Sequence, residues 1–217
     1  GEVLGLAGLL GAGRTELARL LFGLEAADKG SLQIDGQTVQ LGNPADAVRY
    51  GIALCPEERK TDGIVAELSV RENIALALQA RLGVRQFLSI AEQTTLAEHF
   101  VETLGIKTAS VETPIGLLSG GNQQKAVIAR WLATDPRLLI LDEPTRGIDV
   151  AAKQEIMEEI LRLARGGMAV LFISSEMGEV VRVSDRIAVL RDRRKVGELP
   201  GGSSEDEVYA LIAADHV

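Results

Sequence analysis

The sequence predicts an α/β domain built on a mainly parallel sheet, with a small antiparallel β part and an inserted all-α subdomain. Three observations carry that expectation. A glycine-rich stretch, Gly8-Leu9-Leu10-Gly11-Ala12-Gly13-Arg14-Thr15, joins a short apolar run to a helical pattern. The run Leu138–Leu141 is continuously apolar, as strands of a parallel sheet covered on both faces are, and it ends in Asp142-Glu143-Pro144. Between Val65 and Arg137 the strand signals vanish and helical periods take over. The expected boundaries are therefore a core of 1–64 and 134–217 and a helical subdomain of about 65–133.

Each element has its own local reason. Glu2–Ala7 is a short apolar strand, and Thr15–Leu24 places Leu17, Leu20, Leu21 and Leu24 at helical spacing. Gly30–Gln40 alternates around Asp35-Gly36, a hairpin dipeptide. Asn43 caps and Pro44 opens a short helix through Tyr50. Ile52–Leu54 is a buried strand that runs into the charged stretch Pro56–Gly63, by default a solvated turn. Ser69 with Glu72 forms a capping box for a helix through about Ala80. Helical periodicity returns from Gln86 to about Gly105 and again over Leu118–Ala133. Helices over Ala151–Ala164 and Glu176–Val183 then alternate with strands over Met168–Ile173 and Arg186–Leu190. Lys195–Leu199 adds a strand, Pro200-Gly201-Gly202 breaks the chain, and Ser204 with Glu207 caps a last amphipathic helix.

Composition sets limits on function. The 217 residues, 46% hydrophobic and 25% charged, describe a globular domain with a full core. A net charge of -8 argues against nucleic acid as the main partner. The single cysteine, Cys55, excludes an internal disulfide and reads as a small buried hydrophobe. No apolar run approaches the roughly 18 residues of a membrane span, and no secretory leader is recognisable, so a cytosolic protein is expected.

The chemistry concentrates in three stretches. Gly8–Thr15 follows the phosphate-loop pattern of Gly, four residues, Gly, then a basic residue and Ser or Thr, between a strand and a helix. Backbone amides of such a loop close around phosphate oxygens, and Thr15 would hold Mg²⁺ through its hydroxyl. The usual lysine is replaced by Arg14, and the bland alternative is a turn that binds nothing. Ser119-Gly120-Gly121 exposes free amides at a helix start, a second anion nest whose bland reading is a flexible capped turn. Asp142 is placed to hold Mg²⁺, and Glu143 to orient or deprotonate a water attacking phosphate; otherwise they are carboxylates of a strand-end turn.

Taken together, Gly8–Thr15, Leu118–Gln123 and Leu139–Glu143 resemble the Walker A loop, signature motif and Walker B strand of an ABC transporter nucleotide-binding domain, a P-loop NTPase fold. Glu58–Gly63, Ser119–Lys125, Asp142–Asp149 and Ser174–Met177 are similar to the carboxy-terminal cassette of ribose/galactose-type carbohydrate importers. The resemblance implies ATP as ligand, held by Gly8, Gly11, Ala12, Gly13, Arg14, Thr15 and Glu16, with Mg²⁺ on Thr15 and Asp142 and Glu143 as the catalytic residue. It implies that Ser119, Gly120, Gly121 and Gln123 complete the ATP site of a partner cassette. Glu57 falls at the Q-loop position, Asp149 at the D-loop aspartate and Ser175 at the switch histidine.

Three of these positions depart from an active cassette. Arginine at 14 carries its charge on a longer planar fork. Glu57 replaces glutamine, and Ser175 replaces a histidine; the only histidines are His99, read as a helix-surface residue, and His216, read as a tail residue. The expectation is an asymmetric ATPase with a degenerate site of its own, or alternatively a non-catalytic regulatory cassette. The resemblance also implies partners: a second cassette in the same polypeptide, transmembrane permease subunits and, indirectly, a periplasmic sugar-binding protein, at the cytoplasmic face of the bacterial inner membrane. The abrupt start at Gly1 is read as a truncated antiparallel part, lacking the aromatic residue that stacks on adenine in the family.

Overall fold

The computed structural model describes residues 1–214, so His216 lies outside it. β1 (Val3–Ala7) passes through the glycine loop into α1 (Arg14–Leu21). β2 (Leu32–Ile34) and β3 (Gln37–Val39) form a separate antiparallel hairpin, turning on Asp35 and Gly36, both at positive φ. α2 (Pro44–Arg49) follows, with the Asn43 side chain accepting the Asp46 amide, then β4 (Ile52–Cys55). Helices α3 (Val70–Leu82), α4 (Ile90–Thr103) and α5 (Gly120–Leu132) occupy the stretch before β5 (Leu138–Asp142). The chain then alternates through α6 (Val150–Arg165), β6 (Ala169–Ile173), α7 (Met177–Val183), β7 (Arg186–Arg191), β8 (Arg194–Pro200) and α8 (Glu205–Ala213).

The main sheet has the order β4-β5-β6-β1-β7-β8. Its first five strands are parallel and β8 closes one edge antiparallel to β7. Side chains alternate strictly between the two faces. Ala53, Leu139, Leu141, Val170, Phe172, Ile187 and Val189 face one cluster, shared with α3 to α8. Ile52, Leu54, Ile140, Leu171, Ile173, Ala188 and Leu190 face the other, roofed by α1 and α2. Both faces are covered, which is why these strands read as unbroken apolar runs. Cys55 is fully buried and burial pushes its thiol up to about 12, so it packs as a small hydrophobe.

Three sequence expectations need correction. The charged stretch after β4 is not a free solvated turn: Arg59–Gly63 makes one π turn, closed by the Ile64 amide on the Arg59 carbonyl at 2.9 Å. Its anchor is Arg59, half-buried and bonded to Gln123 Oε1 at 3.4 Å, a partner that sequence spacing does not reveal. Helical structure begins at Ile90 rather than Gln86, because Ser89 and Glu92 form a capping box; Phe87 stands exposed before it. α1 stops at Leu21, and Ala18 and Phe22, not Leu24, make its buried contacts. Phe22 meets Trp131 of α5 edge-to-face at 5.3 Å.

Candidate functional site

Parallel strands deliver their loops to one edge of the sheet, and a ligand site is expected at those carboxyl ends. There the loops after β1, β4, β5 and β6 line a cleft of about 250 Å³. Leu10 to Glu16, Glu57, Glu143, Arg146 and Ser175 form its wall. The loop needs its glycines for physical reasons. A Cβ on Gly8 would lie 2.6 Å from the Leu190 carbonyl oxygen, and Gly13 caps α1 at φ 97°. No side chain caps α1, so its first amides remain free toward the cleft.

Arg14 is buried and does not extend into open space. Its Nη1 donates to the Ser174 carbonyl at 2.6 Å, and its Nη2 lies 3.7 Å from Glu143 Oε1. Glu143 is also held from its other oxygen, which accepts the Ser175 hydroxyl at 3.0 Å. Its backbone is left-handed, φ 50°, a costly conformation for a residue with a side chain. Two bonds enforce it: the Glu143 amide donates to the Ile173 carbonyl at 2.9 Å, and the Arg146 amide to the Glu143 carbonyl at 3.1 Å. Glu57 pairs with Arg146, which also reaches Glu58 at 3.2 Å.

Asp142 ends β5 below the loop and is almost wholly buried. Burial pushes its carboxyl up to about 6; the Thr15 hydroxyl opposes this, the charges of Glu57 and Glu143 reinforce it, and Arg14 opposes it again. Its Oδ1 has no hydrogen-bond partner. A buried carboxylate oxygen left unpaired beside a hydroxyl is what a hard divalent cation requires, so Thr15 and Asp142 fit Mg²⁺. Among the described residues no group of three or more His, Cys, Asp or Glu side chains is arranged to hold a metal ion by itself.

The second nest is a separate, smaller cleft of about 120 Å³ between α5 and α6. Ser119, Gly121, Asn122 and Asp149 line it. Ser119 sits at the cap of α5 without capping it; its hydroxyl oxygen instead accepts from Asn122 Nδ2 at 2.8 Å, leaving the first helical amides free. A Cβ on Gly121 would lie 2.5 Å from Ala152 Cβ, so glycine there permits the close packing of α5 on α6. Asp149 caps α6, accepting the Ala152 amide at 2.9 Å. Gln123 lies elsewhere: it is buried, and its amide donates to the Leu118 carbonyl at 3.0 Å.

The structure thus gathers Arg14, Thr15, Glu16, Glu57, Glu143 and Ser175 in one cleft, and Ser119, Gly121 and Asp149 in another. Sequence reasoning missed Arg146 and Asn122. Arg146 follows Asp142-Glu143-Pro144-Thr145 directly, and a lone cation in an acidic loop environment was its only available signal.

The family profile described as ABC transporter matches residues 1–146. The galactofuranose transporter ATP-binding protein YtfR of Escherichia coli O157:H7 is 55% identical over 200 residues, 92% of this chain and 40% of that protein. The fructose import ATP-binding protein FruK of Bifidobacterium longum is 50% identical over 219 residues, all of this chain and 43% of that protein. The chain therefore spans about two fifths of the length of these relatives. A solved dimeric ATP-binding cassette in a post-hydrolysis state, bound to ADP and phosphate, superposes with a TM-score of 0.77 at 22% identity, covering 94% of this chain and 87% of that one. That likeness is one of fold.

Proposed function

The chain belongs to the ABC transporter family, and on that premise we propose that it is the ATP-binding, ATP-hydrolysing part of a carbohydrate importer. The observation that carries the reading is the cleft at the strand ends, where a phosphate loop faces Glu143, with the unpaired buried Asp142 oxygen beneath it in an adjoining cavity that shares Thr15 and Glu57. The loop amides and the start of α1 bind the phosphates. Thr15 and Asp142 hold Mg²⁺, which draws charge from the phosphate oxygens when bound. Glu143 receives a proton from, or orients, the attacking water. Relatives named for galactofuranose and fructose transport support the substrate class.

The site is asymmetric in this reading. Arg14 occupies the lysine position but is turned onto Ser174 and Glu143, and Glu143 is further engaged by Ser175. A carboxylate with both oxygens engaged is a poor base until those contacts open, so this site turns over slowly. The free amides of α5, with Ser119, Gly120 and Gly121, complete the site of a second cassette. Exposed apolar side chains beside these motifs, Leu10, Leu117 and Val150, support such a partner surface. The length of the relatives leaves room for that cassette in the same polypeptide. The segment 65–133 acts as a helical subdomain. No helix of the described residues is long and apolar enough to cross a membrane, and transmembrane permease subunits supply the path, with a periplasmic sugar-binding protein beyond them and this chain at the cytoplasmic face of the inner membrane.

The test is Glu143→Gln in the full-length transporter. Near-normal ATPase and uptake support the asymmetric reading; abolition of both sinks it. The engaged state of Glu143 also favours a second reading, a regulatory cassette that binds nucleotide without hydrolysing it. Turnover by this chain that disappears in Glu143→Gln decides against that alternative.

A further inference from the structure

The loops that end β5 and β6 carry Glu143 and its partner Ser175, and both loops converge on one side chain outside the cleft. Glu179, in the first turn of α7, is buried. Its Oε2 accepts the Thr145 hydroxyl at 2.5 Å and the Ser174 hydroxyl at 2.7 Å. Its Oε1 faces Lys153 Nζ of α6 at 3.3 Å. Thr145 and Ser174 are themselves almost wholly buried, so neither hydroxyl has water as an alternative.

We propose that Glu179 is a positioning residue, a clamp that fixes Glu143, Ser175 and Arg14 relative to one another. Thr145 lies two residues after Glu143, in the turn that holds Glu143 left-handed. Ser174 donates its hydroxyl to Glu179, accepts from Arg14 at its carbonyl, and precedes Ser175, which donates to Glu143. One carboxylate oxygen therefore sets the spacing between the two loops. Through them it sets the distance from the phosphate-loop cation to the catalytic carboxylate. Lys153 holds the other oxygen and so orients the carboxyl plane. The consequence for the cleft rests on the nucleotide-site reading given above; the clamp itself does not.

Because both hydroxyls meet the same oxygen, Glu179→Gln can keep them by presenting its carbonyl oxygen to Thr145 and Ser174. Glu179→Met fills similar space with no acceptor. Hydrogen–deuterium exchange resolves the two in the full chain. In Glu179→Met, peptides covering Glu143–Gly147 and Ser174–Met177 exchange about tenfold faster or more, while those of β1 and β7 do not change. Glu179→Gln turns its amide nitrogen toward Lys153, which keeps its closer pair with Glu176, and returns both peptides to near wild-type rates. Should Glu179→Met not fold, Thr145→Val accelerates the first peptide and Ser174→Ala the second. The proposal is overturned if both peptides keep wild-type rates, if β1 and β7 accelerate equally, or if Glu179→Gln behaves like Glu179→Met. A fluorescent ATP analogue with Mg²⁺ supplies the second arm: Glu179→Met weakens its binding about tenfold and Glu179→Gln leaves it unchanged. Equal binding by wild type and Glu179→Met overturns the proposed effect on the cleft. If wild type binds no nucleotide at all, it is the nucleotide reading that fails, and the exchange rates still decide the clamp.

Discussion

Asp142 illustrates how burial governs the charge of a single carboxyl. Burial raises its pKa from 3.8 to about 6, so the folded state holds its proton more tightly than the unfolded chain. The ionised form is thus a cost to the fold that grows as pH rises from 3.8 to about 6 and stays constant above it. Asp142→Asn should stabilise the metal-free protein by about 2–3 kcal/mol at about pH 8, the gain fading as pH falls through about 6. Denaturant melts at the two ends of that range check it, and an equal gain at both ends would contradict the burial argument. The same substitution should remove the Mg²⁺ dependence of nucleotide binding. Glu143 is the complementary case. Its left-handed backbone and doubly engaged carboxylate are invisible in a string of letters, because they depend on Ile173, Ser175 and Arg14, which lie far from it in sequence.

At the scale of elements, α5 depends on two glycines whose reasons differ. A Cβ on Gly120 would lie 3.0 Å from the Arg59 guanidinium and 3.3 Å from the Gly147 carbonyl oxygen, whereas Gly121 lets α6 approach. Gly121→Ala should push the two helices apart and cost about 1–3 kcal/mol, read from chemical denaturation, with Ser119–Asn122 exchanging faster. An alanine variant as stable as wild type would mean that α6 yields freely. Most elements were legible because their causes are local. Serine and glutamate three apart announce the helices at Ser69 and Ser204, and Asp35-Gly36 announces the hairpin. The same box at Ser89 is masked in the sequence by a helical period that starts earlier, at Gln86. The π turn at Arg59–Gly63 had no local cause to read, since Arg59 is held by Gln123 from another helix. Of the site, the motif residues were legible by type and spacing. Arg146 and Asn122 were not, because a side chain's direction depends on the packed fold.

For the whole molecule, one core cluster joins sheet residues such as Val3, Leu139 and Phe172 to Val70, Ile74, Ala97 and Ile115 of the helical stretch. Continuous packing across that boundary predicts one cooperative unfolding transition, with Trp131 fluorescence and far-ultraviolet circular dichroism coinciding. Two separated transitions would mean that the helical stretch folds alone. The strand order has a further consequence, one of timing. β1 lies between β6 and β7, so Val3 finds its neighbour only at Val170. On a ribosome adding about 5–20 residues per second, that strand waits on the order of ten seconds with both hydrogen-bonding edges unfilled. Completion of the sheet around β1 must therefore wait until β6 has been made, and until then the growing chain carries an unpaired apolar strand, an exposure that chaperone binding to nascent chains is suited to cover.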